Sequence, residues 1–237
     1  MNENQEVLKQ ELVDACRVLY AEGHHDRFLG HVSLRLPNQD AMFMKPNGLG
    51  FEEITADDVI TVDYDGKILA GHQPRHGEYP IHSEIYKRRP DIHCVIHTHP
   101  FYTTMLTTLD VRLVPLNHDG VLFVEGIPLF DGTPDLIVTK EQGEAVAAKL
   151  GDEAVVLLKN HGVVIAAESV EEAVMVALHL EKAAQFQLTA MGRGKEILPM
   201  DEKIARKMRQ DALNNKKRLR DLFLYHKRRA ERFLAPR

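Results

Sequence analysis

Residues 94–99 read Cys94-Val95-Ile96-His97-Thr98-His99, and residues 157–162 read Leu157-Leu158-Lys159-Asn160-His161-Gly162. Each stretch is an apolar run that ends in histidine. Successive side chains of a β-strand face opposite ways, so His97 and His99 share a face, about 6–7 Å apart along the strand. His161 closes a second apolar run, Ala154 to Leu158, which also reads as a strand. Two imidazoles from one strand and a third from another, with a fourth position open, form the pattern of a catalytic metal rather than a structural one. A His-x-His pair alone is more often a chance pair than a pair of ligands. Here, however, five of the thirteen histidines (His76, His82, His93, His97 and His99) fall between positions 76 and 99, beside a strand end, where α/β enzymes build sites. His93 shares the face of His97 but lies about 13 Å away along the strand, so it reads as a structural histidine.

Working outward, residues 5–22 read as a helix with Leu8, Leu12, Ala15 and Leu19 on one stripe, ended by Gly23. Strands are expected at 32–36 and 41–44, then a Pro/Gly-rich loop at 45–50. Asp65-Gly66 between two further strands (59–64 and 67–69) is a hairpin signal. A second loop at 71–77 leads to a helix opened by Pro80 and running to Lys87. Beyond the histidine strand a helix is expected from Pro100 toward Thr108, short strands around Leu122 and Ile127, and a helix at 140–150. Strands at 154–158 and 163–167 bracket His161. Ser169 caps a helix to about Met191, with Glu171 and Glu172 in its first turn. Gly192-Arg193-Gly194 breaks it, and a last helix fills much of 202–233.

The chain has 237 residues, enough for one sizeable core. No apolar run approaches the roughly 20 residues that span a bilayer, and Met1 to Glu6 is too polar for a signal peptide. Cys16 and Cys94 sit in apolar contexts and read as core thiols. The expectation is a cytoplasmic protein with no membrane partner. The net charge of −5 hides an asymmetry: residues 203–237 carry thirteen Lys/Arg against three Asp/Glu. A basic tail can signal nucleic acid. Here Leu213, Leu219, Leu222, Phe223, Tyr225, Phe233 and Leu234 are interleaved with the charges, as in an amphipathic helix with a solvated basic face. The tail is therefore expected to dock onto a neighbouring subunit and not to bind nucleic acid.

The wider pattern resembles the class II aldolase/adducin family. The resemblance rests on Glu78, nineteen positions before His97; on His97-x-His99; on Asn160-His161-Gly162; and on Ser169-Val170-Glu171-Glu172-Ala173 and Leu180-Glu181-Lys182-Ala183-Ala184. It runs from about Val7 to about Met191. It implies a three-layer α/β/α sandwich with a central, largely antiparallel sheet. On this reading residues 1–237 form one domain of that type, with 202–237 a basic helical extension. It also implies a divalent metal on His97, His99 and His161 (zinc first, with manganese or iron compatible) and a C4 homotetramer with sites at subunit boundaries. Glu78 occupies the family's acid/base position. Tyr225, the one tyrosine after Tyr102, is the candidate for a C-terminal tyrosine reaching a neighbour's site. His118 and Asp119 lie where the epimerases carry a proton-transfer aspartate, and both stay open.

Departures from the sugar-phosphate pattern bear on substrate. The serine pair that holds phosphate before the glutamate is replaced by His76-Gly77, preceded by Arg75. The family's Gly-Asn is Gly30-His31, and its Pro-Thr-Gly loop is Pro46-Asn47-Gly48. Arg75 is a bidentate partner for carboxylate, and His76 is a group that exchanges protons near pH 7. Substrate-binding roles are thus expected for His31, Asn47, Gly48 and Arg75, and catalytic ones for Glu78, His76 and Tyr225. The pattern resembles the family's decarboxylases of hydroxy-aromatic or oxo acids, acting through a metal-stabilised enolate, more than its sugar-phosphate aldolases and epimerases. The substrate is then a small carboxylate or phosphate. An adducin-like binding protein would lack the histidines, and a mononuclear iron oxygenase could share them.

Overall fold

The computed structural model describes residues 3–235; Met1, Asn2 and the last two residues lie outside them. Eight strands form one sheet in the order β4-β3-β2-β1-β5-β8-β7-β6. They are β1 (His31–Arg35), β2 (Ala41–Met44), β3 (Ile60–Asp63), β4 (Ile68–Ala70), β5 (Cys94–Thr98), β6 (Leu129–Phe130), β7 (Val155–Leu158) and β8 (Gly162–Ala167). Every neighbouring pair is antiparallel except β6 with β7. The helices are α1 (Glu3–Ala21), α2 (Tyr79–Arg88), α3 (Phe101–Leu106), α4 (Lys140–Leu150), α5 (Val170–Met191), α6 (Glu202–Asn214) and α7 (Lys216–Leu234).

Strand alternation divides the core in two. Val32, Leu34, Cys94, Ile96, Val163 and Ile165 pack with residues of α1, α3, α5 and α7 on one face. Met42, Met44, Ile60, Val62, Val95, Val156 and Val164 pack with α2 and α4 on the other. The result is the expected α/β/α sandwich. His97 shares the α2 face with Val95, and the β1–β5 register sets His31 opposite His97 and Ser33 opposite Val95. Polar side chains thus enter the sheet centre as one row.

Three expectations need correction. Val121-Leu122-Phe123 forms a 3-10 turn over Gly120–Phe123 rather than a strand, because the Asn117 side chain accepts the Gly120 N–H and starts a tight turn. The strand expected at Ile127 lies at Leu129–Phe130, where β7 supplies partners. The last helix is two: Asn215 closes α6, and its side chain accepts the Arg218 N–H to open α7.

The basic tail docks on its own chain. Leu219, Phe223 and Ala230 are buried in the main core. Lys227 pairs with Asp14 at 2.6 Å, and His226 and Arg229 both reach Glu22 at the end of α1. Part of the charge asymmetry is met within the chain, by Asp14 and Glu22. Among the described residues no helix is long and apolar enough to cross a membrane.

Candidate metal centre

His97, His99 and His161 converge. Their ring centroids lie 4.7–5.2 Å apart, and one ligand atom from each falls within 4.8 Å of the others. The local backbone explains the convergence. Asn160 adopts φ +56, a left-handed conformation that asparagine tolerates. The His161 N–H then donates to Leu158 O. At Gly162 a Cβ would stand 2.5 Å from Thr98 O, so only glycine lets β8 pass this close beneath His99.

Hydrogen bonds aim the rings. Nδ1 of His97 donates to Val163 O at 3.0 Å, and Nδ1 of His99 donates to Asp26 Oδ2 at 3.2 Å. Both rings must then carry lone pairs at Nε2, and these two atoms face each other at 3.0 Å. Two lone pairs at that distance repel unless a cation lies against both. Burial, then the neighbouring imidazoles, pushes His97 well below its ordinary range; burial and His99 bring His161 down to about 4. Neutral imidazoles with aimed lone pairs are what a divalent ion requires. The three residues therefore fit the metal that the sequence implied.

Glu78 stands over this cluster. It is the N-cap residue of α2 but makes no capping bond with its side chain. Instead Oε1 accepts the Ile137 N–H at 2.9 Å and lies 3.7 Å from His161 Nε2, while Oε2 lies 3.7 Å from Nε2 of both His97 and His31. Burial raises its pKa, partly offset by the Ile137 N–H. A desolvated carboxyl beside an ion site is placed to hold and return a proton.

The other expected residues separate. His31 joins the centre, its ring 4.9 Å from His97 and 4.5 Å from His76. His76 is buried with Nε2 3.3 Å from Lys45 Nζ. Burial and then Lys45 bring it down to about 3, so it is neutral at pH 7 and does not titrate there as expected. Arg75 turns away: it donates to Gly66 O and His76 O and lies over the Tyr79 ring at 4.1 Å. With Nε and one Nη committed, the two-pronged carboxylate clamp expected of it does not form. Asn47 and Gly48 occupy the turn beside Lys45, with Gly48 at φ +91. Tyr225 is 48% exposed on α7 and touches its neighbour His226, so this chain alone does not bring it to the centre. Asp119 accepts from His179 at 2.6 Å, where α5 meets the 3-10 turn.

Sequence reasoning missed three supporting residues. Asp26 orients His99. Lys45, fully buried, donates to Phe28 O, Pro46 O and His76; burial brings it down to about 8. Glu181 accepts the N–H groups of Tyr102 and Thr103 and the Thr103 hydroxyl, fixing the start of α3 just after His99-Pro100. The signal for Glu181 was in the sequence, within the motif at 180–184, but its partner was not.

Comparison with known proteins agrees with this geometry. The family model described as Class II Aldolase and Adducin N-terminal domain matches residues 10–188. The chain is 33% identical over 207 residues to 3,4-dihydroxyphthalate decarboxylase of Arthrobacter keyseri, covering 81% of this chain and 82% of that one. It is 29% identical over 199 residues to L-fuculose phosphate aldolase of Escherichia coli K12, covering 84% and 91%. Among solved structures, an aldolase II superfamily protein from Pseudomonas syringae superposes with a TM-score of 0.90 at 26% identity, over 98% of this chain and 95% of that one. L-fuculose 1-phosphate aldolase from Glaciozyma antarctica PI12 gives 0.85 at 25%, over 97% and 90%. A matched model across most of the chain, a superposable fold and three converging imidazoles make one conclusion: the chain belongs to the class II aldolase and adducin family.

Proposed function

We propose that the protein is a divalent-metal-dependent carbon–carbon lyase that decarboxylates a hydroxy-aromatic acid. The observation that carries the reading is the wall beside Glu78. Where a phosphate-holding serine pair would stand, His76 is buried with its ring nitrogen turned to Lys45, and Gly77 has no side chain. Neither offers the hydroxyl donors of a serine pair. The decarboxylase relative at 33% identity supports the same direction.

His97, His99 and His161 would hold the ion, zinc first and manganese or iron alternatively. When bound, the metal supplies a Lewis acid that draws electron density toward a substrate oxygen. The chain's residues do the rest. We assign the Asn47 amide and the Gly48 N–H, in the turn beside Lys45, as donors to the carboxylate, the part first expected of Arg75. As the carbon–carbon bond breaks and carbon dioxide leaves, the electron pair stays on the substrate carbon. Glu78, whose pKa burial raises, delivers a proton to that carbon when it carries one and is reprotonated from solvent. Tyr225 is exposed on α7, and we assign it to the edge of a neighbour's site in a homotetramer.

The test is carbon dioxide release from a panel of hydroxy-aromatic and oxo acids with zinc and with manganese, beside cleavage of phosphorylated ketoses. Release from an ortho-dihydroxy aromatic acid is the expected result. Efficient cleavage of a ketose phosphate with no carbon dioxide from any acid would instead establish a sugar-phosphate aldolase.

A further inference from the structure

Beneath the metal centre runs a buried chain of hydrogen bonds that no proton-transfer step above uses. The Tyr86 hydroxyl lies 2.9 Å from Ser33 O and 3.2 Å from His93 O. The Ser33 hydroxyl lies 2.9 Å from the Tyr86 hydroxyl and 2.6 Å from His82 Nδ1. His82 Nε2 lies 2.6 Å from His31 Nδ1. Beyond that, His31 Nε2 is buried, has no hydrogen-bond partner among the described residues and faces Glu78 Oε2 at 3.7 Å.

Counting hydrogens gives this chain a direction. Carbonyl oxygens only accept, so Tyr86 must donate its O–H toward Ser33 O and His93 O; pointing it elsewhere would leave oxygens in repulsive contact. The Tyr86 oxygen then accepts from Ser33, the Ser33 oxygen accepts from His82 Nδ1–H, and His82 Nε2 accepts from His31 Nδ1–H. Both rings are fully buried, and His31 is crowded by His76, His82 and His97, surroundings that keep an imidazole neutral. A neutral His31 with its hydrogen on Nδ1 has a bare lone pair at Nε2. That lone pair, the Glu78 carboxyl and the metal-facing side of His97 enclose one small space lined by acceptors.

We infer that His31 is a specificity-determining residue whose Nε2 accepts a hydrogen bond from a substrate hydroxyl, and that Tyr86, Ser33 and His82 are positioning residues that fix this polarity. The inference rests on the reading of the centre as a substrate-binding lyase site and narrows its substrate class. A hydroxyl donor next to the metal-held oxygen is accepted, and an ether oxygen or carbonyl at that place meets a lone pair and is rejected. A diol on adjacent carbons, as in a catechol-type acid, satisfies both demands. Sites built to pair a substrate hydroxyl discriminate because the buried partner is otherwise left unsatisfied.

The test begins without substrate. Nitrogen-15 NMR of the histidine-labelled, zinc-loaded protein should show His31 protonated at Nδ1 and bare at Nε2. In Tyr86→Phe the Ser33 hydroxyl loses its acceptor and is free to donate to His82 Nδ1. The tautomers of His82 and His31 should then reverse, with one zinc per chain retained. Ser33→Ala serves as the second variant and should leave the His31 tautomer mixed. Titration with 3,4-dihydroxybenzoate and its two mono-methyl ethers follows. The diol should bind roughly tenfold tighter than either ether, a preference lost in Tyr86→Phe and reduced in Ser33→Ala. A protonated Nε2 in the wild type, an unchanged tautomer in both variants, loss of zinc in His31→Ala, or equal or absent binding of diol and ethers would each overturn the inference. The tautomer is read in the protein itself. A protein with the expected His31 state and diol preference that releases no carbon dioxide would refute the decarboxylase reading and leave this one standing.

Discussion

Nδ1 of His99 donates to Asp26 Oδ2 at 3.2 Å, across 73 positions of sequence. The bond selects the tautomer that frees Nε2 for the ion and holds the ring against His161. Carboxylates behind ligating histidines commonly tune metal affinity by about 10–100-fold. Asp26→Ala is therefore expected to weaken zinc binding by at least about tenfold while the fold persists, as measured by competition with a chromophoric chelator.

Glu181 makes a comparable prediction for stability. Its carboxylate accepts three hydrogen bonds from the start of α3. Glu181→Ala strands those donors in a half-buried setting and should cost roughly 2–3 kcal/mol, read as a lower denaturant midpoint with an unchanged slope. Glu181→Gln should recover part of the loss.

Acid should destabilise the protein earlier than its carboxylates alone would. Burial holds His76 and His82 at about 3 and His24 at about 4, below the 6.5 of an unfolded histidine. Between those limits the unfolded chain binds protons the folded chain refuses, so stability is full above pH 6.5 and falls as pH drops toward 4. Each ring contributes up to about 1.4 kcal/mol per pH unit. Denaturant melts at pH 7, 6 and 5 should show this decline, and His82→Gln should make it shallower.

Removing the tail tests its role. Without residues 202–237, α1 and α5 lose the cover of Leu219 and Phe223, and Asp14 and Glu22 lose their ion-pair partners on α7. A truncated chain should melt at lower temperature and lose activity. The intact chain should show no salt-sensitive DNA or RNA binding, because several of the tail's cations are already paired with α1 and α5; tight binding in a mobility-shift assay would contradict this assignment.

The sheet and the convergence of the three histidines were legible because both follow from short-range pattern: alternation in β5, apolar runs in β7 and β8, and histidines at their ends. Asn160-His161-Gly162 carried its own turn chemistry. What could not be read was partnership across the sheet. Nothing local ties Asp26 to His99, Lys45 to His76 or Glu181 to α3. Arg75 shows the converse: its side chain suits a carboxylate, but the hairpin turn at Gly66 and the ring of Tyr79 take it first. The segment at 120–123 misled because an apolar run that short has no period long enough to separate a strand from a tight turn.

The role proposed for Glu78 is to return the proton beside the three-histidine centre. The measurement is carbon dioxide release in deuterium oxide by wild type and Glu78→Gln, each with its metal content determined. One deuterium is expected on the carbon that lost carbon dioxide in the wild-type product. Glu78→Gln is expected to keep one metal per chain while release slows by at least about a hundredfold, the loss typical of a missing general acid. Wild-type release by Glu78→Gln, or loss of the metal from that variant, would contradict it.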